Sequence, residues 1–528
     1  MWSGRSVPDR SFLHLAFTFL RGPLPLTQIH PSVESSSSRS SIAFLWLGLG
    51  VVLCAVGAKL ALIQRYGTDQ PYADQWAAEG MYFLRGPLYY KIDLAQLTSS
   101  HAEHRPGLTR LWVRAGILAN GGQWDCFAEL VVNLLIYAAF LAVVWRWLAT
   151  LVKGAPLVLT GLVMAVIFGM PCAYENFLWG FQSQFLFLLL LGMLHILGAI
   201  GEKRLGVRWW LAHIAGFLGL FSIAAGAMSA GALVVVALVE ILRGRRNAWS
   251  FTTLLVNLVL FGVGYWLLPG DLLQGSRIDR LAQAVKGTGY LLSWPFPAVG
   301  WCILLQAPWV ILFINWWRGR DEPNVEGDGS LSAVGLWVST IAFAIAYGRI
   351  LTSDNIGVRY YDVLVLGLFV NVPALMRLVS RHSSWRRFMW GGLAAAWFVA
   401  VGAQLWQYNR PAQLRDMFQY QQGLAIEQRK VVQEFLVSND PAKLQEFENN
   451  THRYPHFKTT LDFLRDPKVP MLLPPTLTPD GHENGLSRLT RRVAVNWPFV
   501  VGVGIFLGIF GAIKTIRLSR RPGSPATI

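Results

Sequence analysis

Apolar runs of about 20 residues recur along the whole chain, separated by short polar or basic stretches. Twelve of them are read as helices, over about 41–63, 127–149, 155–173, 181–200, 208–225, 227–242, 250–269, 296–317, 331–350, 359–379, 388–408 and 495–513. Most are apolar on every face, which a surface helix of a soluble protein is not. In a bilayer each run must satisfy its own backbone, so it is a helix. The expected fold class is all-α: a polytopic transmembrane helical bundle of about 12 spans. Two polar intervals carry a different period. In 270–295, Ile278, Leu281, Val285 and Leu292 fall at helical spacing with Arg277, Arg280 and Lys286 beside them, the pattern of a helix lying in the membrane interface. In 409–494, Leu414, Met417, Leu424, Val431 and Phe435 form an apolar stripe on a polar, mostly helical segment. That stripe is expected to pack on the membrane domain or on a partner helix.

The connecting loops alternate in charge. "RWLATLVKG", "GEKRLGVR", "LRGRRN", "WWRGR", "RLVSRHSSWRR" and the tail "KTIRLSRR" are basic, whereas "MPCAYENFLWG" and "AAGAMSAG" hold no Lys or Arg. The positive-inside rule then places both termini in the cytoplasm and the loop 64–126 outside. The resulting plan has a disordered cytoplasmic tail over 1–40, a membrane domain over 41–408, an extracytoplasmic helical region over 409–494, a last span over 495–513 and a basic cytoplasmic tail over 514–528. Composition agrees: mean hydropathy is +0.40 and only 14% of residues are charged, where a soluble protein carries roughly 25%. The net charge of +16 is spread over the inner loops, so it speaks for orientation and against nucleic acid. Cys54, Cys126, Cys172 and Cys302 show no CxxC or metal spacing and read as small apolar residues.

Charges that survive beside apolar runs are the candidates for chemistry, because burying them is costly. The loop 64–126 opens "YGTDQPYADQWAAEG", with Asp69 and Asp74 just past the first span. Asp74 reads either as the N-cap of an interfacial helix carrying Trp76, Gly80, Phe83 and Leu84 or as a general base at the membrane surface. Further on, "SSHAEHRPGLTR" gathers His101, Glu103, His104 and Arg105 ahead of Pro106 and an amphipathic "LTRLWVRAGIL". This is either a solvated loop or a polar cluster held against the membrane. Arg105 could pair with Asp74 or Glu103, or grip a phosphate. Two His flanking one acid are a thin ligand set for a divalent metal. Asp125, Glu129 and Asn133 share one helix face that should point into the bundle. "YENFLWGFQSQ" brings Glu175, Asn176, Gln182 and Gln184 to the mouth of a span, which suits a cavity lining. "YGRILTSDNIGVRYYD" offers Arg349, Asp354, Arg359, Tyr360 and Tyr361. Arginines on the outer side suggest a bound anion, with headgroup snorkelling as the alternative. His195, His213 and Glu240 read as interface residues without a role. No GxxxxGK[ST] motif and no GxGxxG after a strand is present. An enzyme with this layout would therefore take its activated substrate already attached to lipid.

"YADQW", "HAEHRP", "ENFLWGFQ" and "RYY", in this order along 41–408, resemble the GT-C superfamily of membrane glycosyltransferases, which use polyprenyl-phosphate-linked sugars, and its bacterial members above all. The resemblance implies a large helical bundle with its site at the outer face. It implies that Asp74 is the base toward the acceptor, and that Arg359, with Arg349 and Arg105, holds the donor phosphate. His101, Glu103, His104, Glu175, Gln182 and Tyr360 would line the substrate site. Many relatives carry two adjacent acids where this chain has Asp74–Gln75; Asp69 is the other carboxylate nearby. The implied partners are a polyprenyl-phosphate sugar and a membrane lipid or glycan acceptor, and the implied location is a bacterial inner (plasma) membrane. A transporter, flippase or polymerase of lipid-linked glycans is the alternative reading of the same layout.

Overall fold

The computed structural model describes residues 31–80, 94–201, 203–268, 277–318, 325–349, 357–451, 457–474, 476–477 and 482–519. Among these residues no strand forms, and a single β-bridge joins His101 to His104. Every one of the twelve apolar runs is helical. Ten helical stretches are long and apolar enough to cross a membrane, so the chain is a multi-pass membrane protein. Two expected spans fall short. Over 208–225 the helix is Val207–Gly219, 13 residues, and over 296–317 it is Trp301–Trp317, 17 residues. At 1.5 Å per residue these reach roughly 20 and 26 Å, less than the ~30 Å hydrocarbon core. The first stops where Ser222 Oγ donates to the Gly219 carbonyl and a 3-10 turn, Ala224–Ala227, redirects the chain. The second starts late because Pro295 and Pro297 precede it.

The first helix runs Pro31–Tyr66, so residues 31–40 of the expected tail are helical; residues 1–30 lie outside the described residues. The last helix, Trp497–Ser519, packs along it and includes residues 514–519. Close approach here depends on glycine. A Cβ on Gly50 would stand 2.4 Å from the Gly508 nitrogen, and Gly504 and Gly508 have the small-xxx-small spacing that lets helices touch backbone to backbone.

The segment 409–494 is helical as expected: Pro411–Ser438, Ala442–Thr451, Phe457–Leu464, Val469–Leu472 and Gly485–Val495. Its apolar stripe splits between two partners. Leu414 and Met417 pack on the main membrane core, while Val431 and Phe435 join a second core shared with the loop 64–126. At the centre of that second core Trp76, Trp124 and Phe463 meet edge to face at 6.0–6.3 Å. This changes the picture after Asp74. The expected interfacial helix is a short π-helical turn, Gln75–Gly80, and Trp76 is fully buried instead of facing lipid. Phe83 and Leu84 lie outside the described residues. The interface-type helix Arg277–Ser293 does form, with Leu281 and Val285 exposed and Leu291 buried.

Candidate functional site

The site-bearing residues of the loop 64–126 are fixed by two tight backbone features. His101 N–H donates to the His104 carbonyl at 2.8 Å and His104 N–H returns the bond at 3.0 Å. The four-residue hairpin His101–His104 holds both imidazoles and Glu103 in one small turn. It forces Ala102 to φ +48°, and Ala73, just before Asp74, sits at φ +47°. Non-glycine residues in this region are strained. Two of the four described examples thus flank the proposed site residues.

From this hairpin a chain of polar contacts runs across the end of the bundle. Asp74 Oδ2 lies 3.9 Å from His101 Nε2, and its side chain is 30% exposed. His101 packs its ring edge against Phe181, 5.4 Å between centroids. Glu103 Oε1 lies 3.5 Å from His104 Nε2 and pairs with the Arg349 guanidinium. Arg349 and Arg359 approach the Tyr360 ring at 6.0 and 5.5 Å. Asn176 Nδ2 donates to the Arg359 carbonyl at 2.8 Å and to Asp362 Oδ2 at 2.9 Å, tying "ENFLWGFQ" to "RYYD". Behind Asp362 lies Lys59, fully buried in the first helix; its ammonium donates to the Met170 carbonyl and stands 4.2 Å from the Phe177 ring centroid. Asp74, His101, Glu103, His104, Glu175, Arg349, Arg359 and Tyr360 therefore share one end of the bundle.

Electrostatics sort these groups. Burial and the nearby Arg349 and Arg359 depress His104 to about 4, against the pull of Glu103. The ring is neutral near pH 7, and its Nδ1 accepts from the Ala224 N–H at 3.3 Å. Burial raises Glu103, but His104 and Arg349 more than offset it, so it stays an anion. Burial raises Glu175, with Arg359 opposing. Glu103 answers the charge of Arg349, whereas Arg359 forms no ion pair among the described residues.

Three expected site residues are engaged in other contacts. Asp69 is 5% exposed and cannot back up Asp74: Arg429 and Arg491 hold its two oxygens at 3.1 Å each, and Thr476 donates to it at 2.8 Å. Arg105 donates to the backbone carbonyls of Leu267 and Thr98, at 2.9 and 2.7 Å, which engages it in loop packing. Gln182 is buried, with its oxygen 3.5 Å from Gln184 Nε2. Asp354 lies outside the described residues. Asp125, Glu129 and Asn133 do face inward: Asp125 caps its helix by accepting from Ala128 N–H and pairs with Arg491, and all three are buried.

Sequence reasoning passed over Lys59, Glu79 and Asp362. A lone lysine within an apolar run was a usable signal for the first. Glu79 sits inside a short turn, and only the fold shows its burial. Burial pushes it up to about 8, although the Gln75 amide and Arg110 pull it down. Gln75 Nε2 donates to both Glu79, at 3.0 Å, and Glu129, at 3.2 Å. Gln75, next to Asp74, is thus committed to these two carboxyls. Among the described residues no three of His, Cys, Asp and Glu converge so as to hold a metal ion, and the donor set does not fit one. Comparison with protein-family models and with curated proteins returns no match to this chain.

Proposed function

We propose that this chain is an integral membrane glycosyltransferase that moves a sugar from a polyprenyl-phosphate donor to an acceptor at the outer face of a bacterial inner membrane. The observation that carries this reading is the shared end of the bundle: a half-open carboxylate, Asp74, stands 3.9 Å from His101, in the same polar chain as the arginines of "GRI" and "RYY". Asp74 takes the proton of an acceptor hydroxyl. The freed oxygen attacks the anomeric carbon, the bond from that carbon to the phosphate oxygen breaks, and polyprenyl phosphate leaves. Arg359 faces the developing phosphate charge, with Arg349 beside it. A single displacement inverts the anomeric centre. His101 positions the Asp74 carboxylate, as an imidazole beside a carboxylate does in general-base sites.

One feature supports an enzyme over a conduit. At mid-bundle the interior is closed by Tyr137, Phe140 and Phe369, all fully buried, and Phe168 bridges Phe140 to Phe369 through edge contacts. The test is Asp74→Asn in proteoliposomes supplied with radiolabelled polyprenyl-phosphate hexoses and pentoses. Wild type transfers label to acceptor; the variant, equally folded by size exclusion, loses transfer by about 10²–10⁴-fold, the usual worth of a general base. Undiminished transfer in the variant removes Asp74 from the role, and no transfer by wild type from any such donor removes the function.

A further inference from the structure

The helices that carry the Asp74 group at one end enclose a cavity of about 680 Å³ at the other. Glu129 and Arg146 lie on one helix, Cys126–Leu151, and are separated by roughly 25 Å at 1.5 Å per residue. The volume is in the range of small-molecule sites, ~300–1,000 Å³. Its walls are Leu194, Leu197 and Val236 with the indoles of Trp147, Trp249 and Trp316. Its polar lining is mostly cationic: Arg146, Lys203, Arg208 and Arg377, against Glu240 and Glu326.

Carboxylates answer part of this charge. Glu240 is 1% exposed and carries three partners, Arg245 at 3.0 Å, Lys203 at 3.3 Å and Arg243 at 3.9 Å. Asp328 carries two, with Arg377 Nε at 2.9 Å and Arg381 beside it. Glu326, largely exposed, reaches only Lys203, at 4.0 Å. Arg208 is turned toward the preceding helix, Ser183–Gly201: it donates to the Leu197 carbonyl at 3.1 Å, and a Cβ on Gly201 would stand 2.7 Å from its Cζ. Arg146 forms no hydrogen bond or ion pair among the described residues. Cations that only orient a membrane protein need sit no deeper than its loops. Here Arg208 and Arg377 project from helices into the cavity and the exposed Arg146 stands at its edge, so like charges face one half-open space.

We propose that this cavity is a binding site for a phosphate-bearing anion, with the headgroup of an anionic phospholipid as the favoured source because apolar walls continue from the cationic lining. This site is separate from the Asp74 group and does not depend on the proposed transferase activity. The test uses the purified full chain. Native mass spectrometry reads retained lipid after exposure to equal phosphatidylglycerol and phosphatidylcholine, and a melting assay in phosphatidylcholine nanodiscs reads the effect of inorganic phosphate and glycerol phosphate. Wild type is expected to retain phosphatidylglycerol selectively, and Arg146→Gln with Arg208→Gln to lose about tenfold in that preference. Thr150→Trp, which fills the cavity without changing charge, is expected to do the same. If lipid selectivity is absent but soluble phosphates raise the melting point of wild type and not of the variants, the anion is a soluble phosphate ester. Equal retention of both lipids with no phosphate stabilisation overturns the proposal, as does unchanged selectivity in all variants. Arg146→Gln alone, at an exposed position, keeps the test valid if the double variant does not fold.

Discussion

Glu79 and Glu129, both buried, meet at the amide of Gln75. Two carboxyls this close and this buried do not both ionise. For Glu79 the consequence is a pH dependence of stability. Its ordinary value of 4.5 is raised to about 8 in the fold, burial being the main cause. Between those values the folded chain keeps a proton that the unfolded chain has released, so stability declines as pH rises. The contribution is complete below 4.5 and lost on passing about 8. Glu79→Gln keeps the shape and removes the titration. The melting point of the variant in detergent, followed across this window, should fall less steeply with pH than that of wild type; parallel slopes would refute the assignment. At this scale the sequence showed where to look and not what was paired. Asp74, His101, Glu103, His104, Arg349 and Arg359 stood out because charge is rare beside apolar runs. The Lys59–Asp362 proximity, the clamp on Asp69 and the Gln75 bridge are long-range meetings, and no local spacing encodes them.

Among the elements, Gly485–Val495 has the heaviest structural task. Its Arg491 reaches Asp125 at 2.6 Å, Asp69 at 3.1 Å and Glu483 at 3.1 Å, and so ties the 409–494 segment to the first loop and to the start of the Cys126–Leu151 helix. Asp69 and Asp125 are buried, so losing Arg491 leaves Asp125 without its cation and Asp69 with Arg429 alone. Arg491→Met is expected to destabilise the fold by on the order of 3 kcal/mol, since removing one member of a buried ion pair strands the other. Adding Asp125→Asn should recover part of that loss. Thermal melting of the two variants in detergent, together with faster proteolytic cleavage within 457–495 for Arg491→Met alone, is the check; equal melting of wild type and Arg491→Met would refute the clamp. Hydrophobic runs predicted nearly every element here, because a bilayer demands unbroken helices. They overran at 208–225 and 296–317, where turns and prolines cut apolar sequence that composition alone could not divide. They also left the turn after Asp74 looking amphipathic, when its tryptophan is claimed by a second core that forms only once the distant 409–494 segment has docked.

The molecule has two unlike ends. Helices Pro31–Tyr66 and Trp497–Ser519 pack together, and the Asp74 group and the 409–494 segment lie where the first ends and the second begins. The opposite end holds the cationic cavity and the basic turns near Arg245 and Arg381. From the tendency of basic residues to stay on the cytoplasmic side of a membrane we propose that Asp74 lies outside and the cavity inside. That orientation is a premise of the proposed reaction, since a lipid-linked donor used outside needs no nucleotide site within. Asp440→Cys lies in the 409–494 segment and Arg246→Cys in a basic turn, both at exposed positions. The four native cysteines are free and at most partly exposed, so a cysteine-free background is a modest change. A membrane-impermeant maleimide added to intact spheroplasts should label Asp440→Cys and leave Arg246→Cys unlabelled until the membrane is opened. The reverse pattern would turn Asp74 toward the cytoplasm, where soluble activated sugars are available, and the case for a polyprenyl-phosphate donor would lose its physical basis.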